Sequence, residues 1–432
     1  MSLLVVLALL ARSGPAPAAA QGLEPLPAKI VQAGTAGDFN QFRKILASPT
    51  VNTPEPFQGF GGWCGWPDVC RLQNGDLFVA YSAGYWHASW PTPLDMPAGM
   101  VAQWGVGWLA EWNCPTGGKM VWIRSRDNGK TWTRPKAFPV VPGCYYVSDM
   151  LQLRNGAILA AAVRHTNYGF WDQMPTTPLE YARMAANRFP IQNILFRSDD
   201  NGETWQETGR ITELSWVDAI YSLIESPDGS LLAVYNAWPL PRARAVTVVA
   251  RSQDQGKSWS TLSVFGSNDF DTLESLVGYL PDGSLGCIAR PHSTWYQSFD
   301  HGRTWSAPRQ FSAGSGHLFS RGSMSITPDG VVVVAYCSGP DGHGRVVYSR
   351  DGGKTWIRPG PGLGFAFDPL AYYPDTCVLA DGSIFAVGSH EGLGKNEYGP
   401  AGAEVTAMRF RIKSQSEGEG IELLPIDGPQ GK

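Results

Sequence analysis

The sequence predicts an all-β fold, a six-bladed β-propeller of four-stranded antiparallel blades, and three observations carry that expectation. An eight-residue box, Ser-x-Asp-x-Gly-x-Thr/Ser-Trp, occurs five times, starting at Ser125, Ser198, Ser252, Ser298 and Ser349. A second signature, Asn-Gly or Asp-Gly between two apolar runs, occurs six times, at Asn74-Gly75, Asn155-Gly156, Asp228-Gly229, Asp282-Gly283, Asp329-Gly330 and Asp381-Gly382. The two alternate along the chain, each of the first five turns being followed by a strand that leads into a box. One supersecondary unit repeated in this way, with a periodic Gly and aromatic motif, is the mark of a propeller.

Each element has a local reason. Asn-Gly and Asp-Gly suit the two-residue hairpin, whose central residues need positive φ. In the box the Asp carboxylate accepts backbone N–H bonds of its own turn, the Gly takes a left-handed conformation, and the Trp folds back as an apolar plug. The boxes therefore read as structural. The sixth unit has a third strand, Glu404 to Ile412, but no box, and its outer strand is expected from the N-terminal segment Phe42 to Leu46, closing the ring. The propeller is expected over 21–413, with loops at 48–62 and 165–190 and a disordered tail over 414–432. A long insertion rich in Trp, Pro and Gly runs from Tyr85 to Thr116; long loops of that kind are commonly lids or binding loops.

Composition narrows the function. With 432 residues, 43% of them hydrophobic, the chain can bury a large core as one unit, and a net charge of −4 provides no basic stripe for nucleic acid. Residues 1–20 read as a secretory signal peptide: an apolar run from Leu3 to Leu10, too short to span a bilayer, then small residues ending Ala18-Ala19-Ala20. The mature chain is expected to be secreted or periplasmic, free of the membrane and monomeric. Cys64, Cys70, Cys114 and Cys144 could pair in an oxidising compartment, whereas Cys287, Cys337 and Cys377 sit in strand-like runs as small buried hydrophobes. No Cys or His cluster has metal-site spacing, and neither a metal nor another cofactor is expected.

Chain direction locates the chemistry. If the first strand of each blade descends, the Asn/Asp-Gly turns and the boxes share the lower face. The upper face then collects the starts of first strands and the ends of second strands. Counting eight residues back from each turn gives Trp66, Val147, Ile220, Glu274, Arg321 and Tyr373; eight forward gives Ser82, Val163, Asn236, Arg290, Cys337 and Ser389. Two positions further along the first strands, on the same face by strand alternation, lie Asp68, Asp149 and Asp375. A funnel mouth of these polar groups is a candidate site. Each group also has a structural reading: Tyr373 as a funnel-lining aromatic, Glu274 and Arg290 as an ion pair within blade four, the aspartates as anchors for neighbouring backbone.

On these residues the chain resembles the sialidase superfamily, unit by unit over nearly the whole mature sequence. Asp271-Thr272-Leu273-Glu274 with Ala289-Arg290 is similar to the family segment carrying the catalytic Glu and one Arg of a carboxylate-binding triad. Ser320-Arg321-Gly322-Ser323 resembles the family's Gln-Gly-Ser strand, and Tyr373-Pro374-Asp375 its Tyr-Ser-Asp nucleophile segment, with Tyr372 next in register. The resemblance implies a secreted, exo-α-sialidase-like glycoside hydrolase acting on a glycan. Tyr373 would be the nucleophile and Glu274 its base. Arg290, Arg321, Trp66, Asp68, Asp149 and Asp375 would surround the substrate, and a loop carboxylic acid, Asp95 or Glu111, would protonate the leaving oxygen. The sequence departs from the family at two points. Gly65-Trp66-Pro67 stands where the family has Arg-Ile-Pro, and the third triad position falls on Asp341, with Arg345 farther down the strand. Two rivals follow, a propeller hydrolase or lyase for another acidic sugar and a glycan-binding propeller without catalysis, and a broad hydrolysis screen separates enzyme from binder.

Overall fold

Every Asn-Gly or Asp-Gly turn closes a hairpin, and the hairpins build six antiparallel sheets. They are seen in a computed structural model that describes residues 23–32, 39–55, 62–84, 119–139, 144–164, 192–211, 217–237, 244–311, 321–338, 343–360, 364–368, 371–391 and 403–427. The first strands of blades one to six are Trp63–Arg71, Cys144–Gln152, Val217–Glu225, Leu273–Tyr279, Ser323–Ile326 and Tyr372–Val378. They touch one another in cyclic order and back from six to one, so the ring closes and these strands line its axis.

Alternation in the second strands builds the core. In blade one, Leu77, Val79 and Tyr81 pack toward blade six, while Phe78 and Ala80 pack toward blade two. Successive side chains of a strand point to opposite faces, so one strand feeds two interfaces. Six large apolar clusters result, one at each seam between neighbouring blades.

The boxes fasten these seams from below. In the second box Ser198 donates to Asp200 at 2.7 Å and accepts from the Gly202 N–H at 2.7 Å, while Asp200 accepts from the Thr204 N–H and hydroxyl at 2.9 and 2.5 Å. Gly202 has φ +85°, and a Cβ there would lie 2.6 Å from the Phe78 ring, so both conformation and space demand glycine. Trp205 then packs on Phe78 of the preceding blade, as Trp132, Trp259, Trp305 and Trp356 plug four of the other five seams. Asn155 of a hairpin turn bonds Gln255 of the next blade's box at 2.6 Å. Turns and boxes therefore share one face, opposite the upper ends of the first strands.

The N-terminal closure is as expected: Lys44–Ala47 pairs with Ala403–Ile412 of blade six. The tail is not. After Lys413, where a disordered segment was expected, the chain returns and Ile421–Leu424 pairs with Arg409–Ile412. Ile421, Leu423 and Ile426 are buried, and apolar side chains with a strand edge to cover are the physical reason for order there. Ala28–Val31 adds a parallel strand to Trp356–Pro359 of blade five. Cys64 and Cys70 are free thiols, as are the buried Cys287 and Cys377, and Cys337 is buried in its strand. The expected signal peptide, the stretch from Tyr85 to Thr116 with Asp95, Glu111 and Cys114, the 165–190 loop and Asp341 lie outside the described residues, as does the Cys144 side chain.

Candidate active site

The first strands are broken at their upper ends. Pairing with the second strand slips between Gly65 and Asp68, between Leu273 and Leu276, and between Tyr372 and Asp375, a bulge in each case. In these bulges Trp66, Glu274 and Tyr373 have left-handed backbone, with φ of +51°, +43° and +49°. Conformations of this kind cost about 1–3 kcal/mol each in a non-glycine residue and persist only where the surroundings impose them. A bulge also re-aims the side chain it carries.

At Trp66 and Glu274 two buried residues impose it. Ser389 Oγ accepts the Trp66 N–H at 2.7 Å. Asn236 Oδ1 accepts the Glu274 N–H while its Nδ2 donates to the Thr272 carbonyl at 2.7 Å. Both sit at the end of the second strand in the preceding blade. Counting from the turns had placed them on the upper face without assigning them a role; their shared register, one blade before a bulge, is the signal that finds them.

The sequence-predicted residues separate into three groups. Trp66 forms an edge-on aromatic cluster with Trp63, Tyr146 and Tyr373, at ring-centroid separations of 4.6, 5.4 and 6.5 Å. Glu274 and Arg290 form a close ion pair in blade four: Nη2 donates to Oε1 at 2.9 Å and Nε lies 2.7 Å from Oε2. The third group is on the axis. Arg321 donates to Asp68 Oδ1 at 2.9 Å and to the Ser148 carbonyl. Asp375 accepts the Val69 N–H at 2.7 Å, and Asp149 accepts the Leu223 N–H.

The alternation argument that put Asp68 and Asp375 on the face of Trp66 and Tyr373 does not carry across a bulge. The aromatics are half-buried at the mouth, whereas Asp68, Asp375 and Arg321 are buried. Burial, with the Asp149 carboxylate, pushes Asp68 up to about 7 against the pull of Arg321. Burial likewise raises Asp149 to about 7, against the pull of Arg321, and Asp375 well above the carboxylate range. Burial disfavours the Arg321 charge, but Asp68, Asp375 and Asp149 outweigh it and raise its pKa. Among the described residues no group of three or more His, Cys, Asp or Glu is arranged to hold a metal ion.

A protein-family model, BNR/Asp-box repeat, matches residues 196–207, which hold the whole second box, Ser198 to Trp205, and the end of the strand before it. No curated protein matches the chain in sequence. Among solved structures the chain is similar to an α-L-arabinanase of Penicillium chrysogenum complexed with arabinobiose, at 16% identity and TM-score 0.55 over 85% of this chain and 97% of that one. It is similar to the GH93 α-L-arabinofuranosidase of Fusarium graminearum, at 14% identity and TM-score 0.56 over 86% and 99%. It is also similar to Trypanosoma rangeli sialidase in complex with sialic acid, at 12% identity and TM-score 0.53 over 88% of this chain and 59% of that one. At such identities the likeness establishes the fold.

Proposed function

We propose that this Asp-box propeller, which shares its fold with sialidases and GH93 arabinofuranosidases, is a glycoside hydrolase acting on a terminal sugar held in its upper mouth. One observation carries the reading: three bulges in blades one, four and six each hold a chemically useful side chain, Trp66, Glu274 and Tyr373, in left-handed backbone. Aromatic walls with a few polar groups are the usual lining of a sugar-sized site. The Tyr373 phenol oxygen would attack the anomeric carbon, Glu274 taking its proton, while a loop carboxylic acid such as Asp95 protonates the leaving oxygen. Water then reverses the attack and releases the sugar.

Arg290 and Arg321 are each already paired with a carboxylate, and Gly65-Trp66-Pro67 stands where the superfamily has Arg-Ile-Pro. That arrangement favours a sugar recognised by stacking over one recognised by its carboxylate. A panel of aryl sialosides, uronides and neutral aryl glycosides tests this. Turnover of a neutral glycoside above that of the sialoside is expected, and Tyr373→Phe should abolish it with an unchanged melting temperature. Full activity in Tyr373→Phe would overturn the mechanism, and sialoside turnover above all others would overturn the specificity. The close contact of Glu274 with Arg290 favours a second reading, glycan binding without turnover. That reading predicts saturable binding with no hydrolysis of any panel member.

A further inference from the structure

We propose that Asp68, Asp149, Asp375 and Arg321 form a proton-retaining hub across the propeller axis that positions Trp66 and Tyr373. Blades two and five are opposite in a ring of six. Arg321 of blade five therefore spans the channel when it donates to the Ser148 carbonyl of blade two, and its other arm reaches Asp68 of blade one at 2.9 Å. Asp375 of blade six holds the Val69 N–H of blade one, and Asp149 of blade two holds the Leu223 N–H of blade three. Four side chains thus tie five blades together.

Three carboxyls here face one guanidinium. Asp68 Oδ2 is buried and meets no N–H or hydroxyl donor among the described residues, and the Asp149 carboxylate disfavours a further negative charge on Asp68. One guanidinium cannot balance three buried carboxylates, and a buried carboxylate oxygen without a donor disfavours the charged form, so the folded hub retains at least one proton. Trp66 and Tyr373 lie two residues before Asp68 and Asp375, just past the bulges. Loss of the retained proton sets like charges against each other at the seam of blades six and one, directly behind those rings. The other ionisable groups facing the hub are Cys70, Cys377 and Arg71. Burial pushes Cys70 up to about 12 and raises Cys377 well above its usual value, so both thiols stay neutral. Farther along the same strand pair, burial also raises Cys64, which faces Glu404, and Tyr81. Near neutral pH the titration falls on the carboxyls.

The sign follows from linkage. Asp68 rises on folding from 3.8 to about 7, so its contribution to stability is fully present below the unfolded value and is lost as pH rises through the folded one. Each retained proton raises the unfolding equilibrium constant about tenfold per pH unit in that window. Denaturant titrations of the full chain between about pH 5 and about pH 8 should show this slope, and Asp68→Asn should flatten it. The infrared band of a protonated carboxylic acid should be present in the wild type at the acid end and weakened in Asp68→Asn. An unchanged slope and an unchanged band in Asp68→Asn would overturn the hub; should that variant not fold, Asp149→Asn carries the same two measurements. The positioning role rests on the mouth being the active site, and its readout is the pH profile of turnover, which should lose its break near neutrality in the Asn variant while the wild type keeps it. Absence of hydrolysis with the slope and band in place would count against the hydrolase reading and leave the hub intact.

Discussion

The propeller uses aspartate in opposite ways at its lower face and on its axis. In the boxes, Asp200 and Asp254 accept the hydroxyls of Thr204 and Ser258 and then the neighbouring backbone N–H groups, and their carboxyls are held down at about 2. On the axis, burial raises Asp68 and Asp149 to about 7. One side chain thus serves as a permanent anion where donors converge in solvent, and as a proton carrier where donors are few and water is excluded. The lower face is a rigid fastening insensitive to pH near neutrality. The axis behind the mouth is where the molecule can respond to pH.

The largest effect that sharpens this contrast is Arg321→Met. Removing one partner of a buried charge pair costs about 3–5 kcal/mol, because Asp68, Asp149 and Asp375 would lose the cation they share. The loss should grow as pH rises through neutrality and shrink toward acid pH, where the carboxyls take up protons instead. Denaturant unfolding at several pH values checks it, and a loss independent of pH would break the comparison.

Next in size is the seam itself. Trp356 is 1% exposed and plugs the interface of blades four and five, so Trp356→Ala should lose about 3 kcal/mol, the lower part of the range for a buried Trp. That loss should be the same at pH 5 and pH 8, since no titrating group of the hub is touched. A glycan binding constant measured on the folded variant should not change. Altered binding with unaltered stability would mean that the boxes reach the mouth.

The lower face was legible in the sequence because its information is local. Ser198, Asp200, Gly202, Thr204 and Trp205 complete their hydrogen bonds within eight residues, so a pattern suffices to read blade number, order and face. The mouth was legible only as a register. Counting from the turns found Trp66, Glu274 and Tyr373, but no glycine marks their left-handed backbone, and alternation then misplaced Asp68 and Asp375 relative to them. The span of Arg321 to Ser148 and the support of Trp66 by Ser389 join residues distant in the chain. Such contacts are set by ring closure, which no local pattern encodes. The strand at Ile421–Leu424 was missed for a related reason: its short apolar alternation has meaning only beside the open edge of Ala403–Ile412.

The smallest predicted effect concerns one box aspartate and carries the opposite sign of pH dependence. Asp200→Ala removes the acceptor for the Thr204 N–H and hydroxyl and for the Ser198 hydroxyl. Thr204 is exposed and can bond water instead, and the buried Ser198 keeps its bond from the Gly202 N–H, so the net loss should be about 1 kcal/mol, the worth of a typical hydrogen bond. The folded carboxyl sits at about 2 against an unfolded 3.8. Its contribution is therefore complete above the unfolded value and is lost as pH falls through the folded one. The difference between wild type and Asp200→Ala should stay constant from about pH 5 to about pH 8 and narrow below about pH 4, whereas the Arg321→Met difference changes in the upper window. Measuring both variants across the two windows separates fastening from response. If the Asp200→Ala difference moved near neutrality, the box would be coupled to the hub, and the division between a pH-insensitive lower face and a titrating axis would fail.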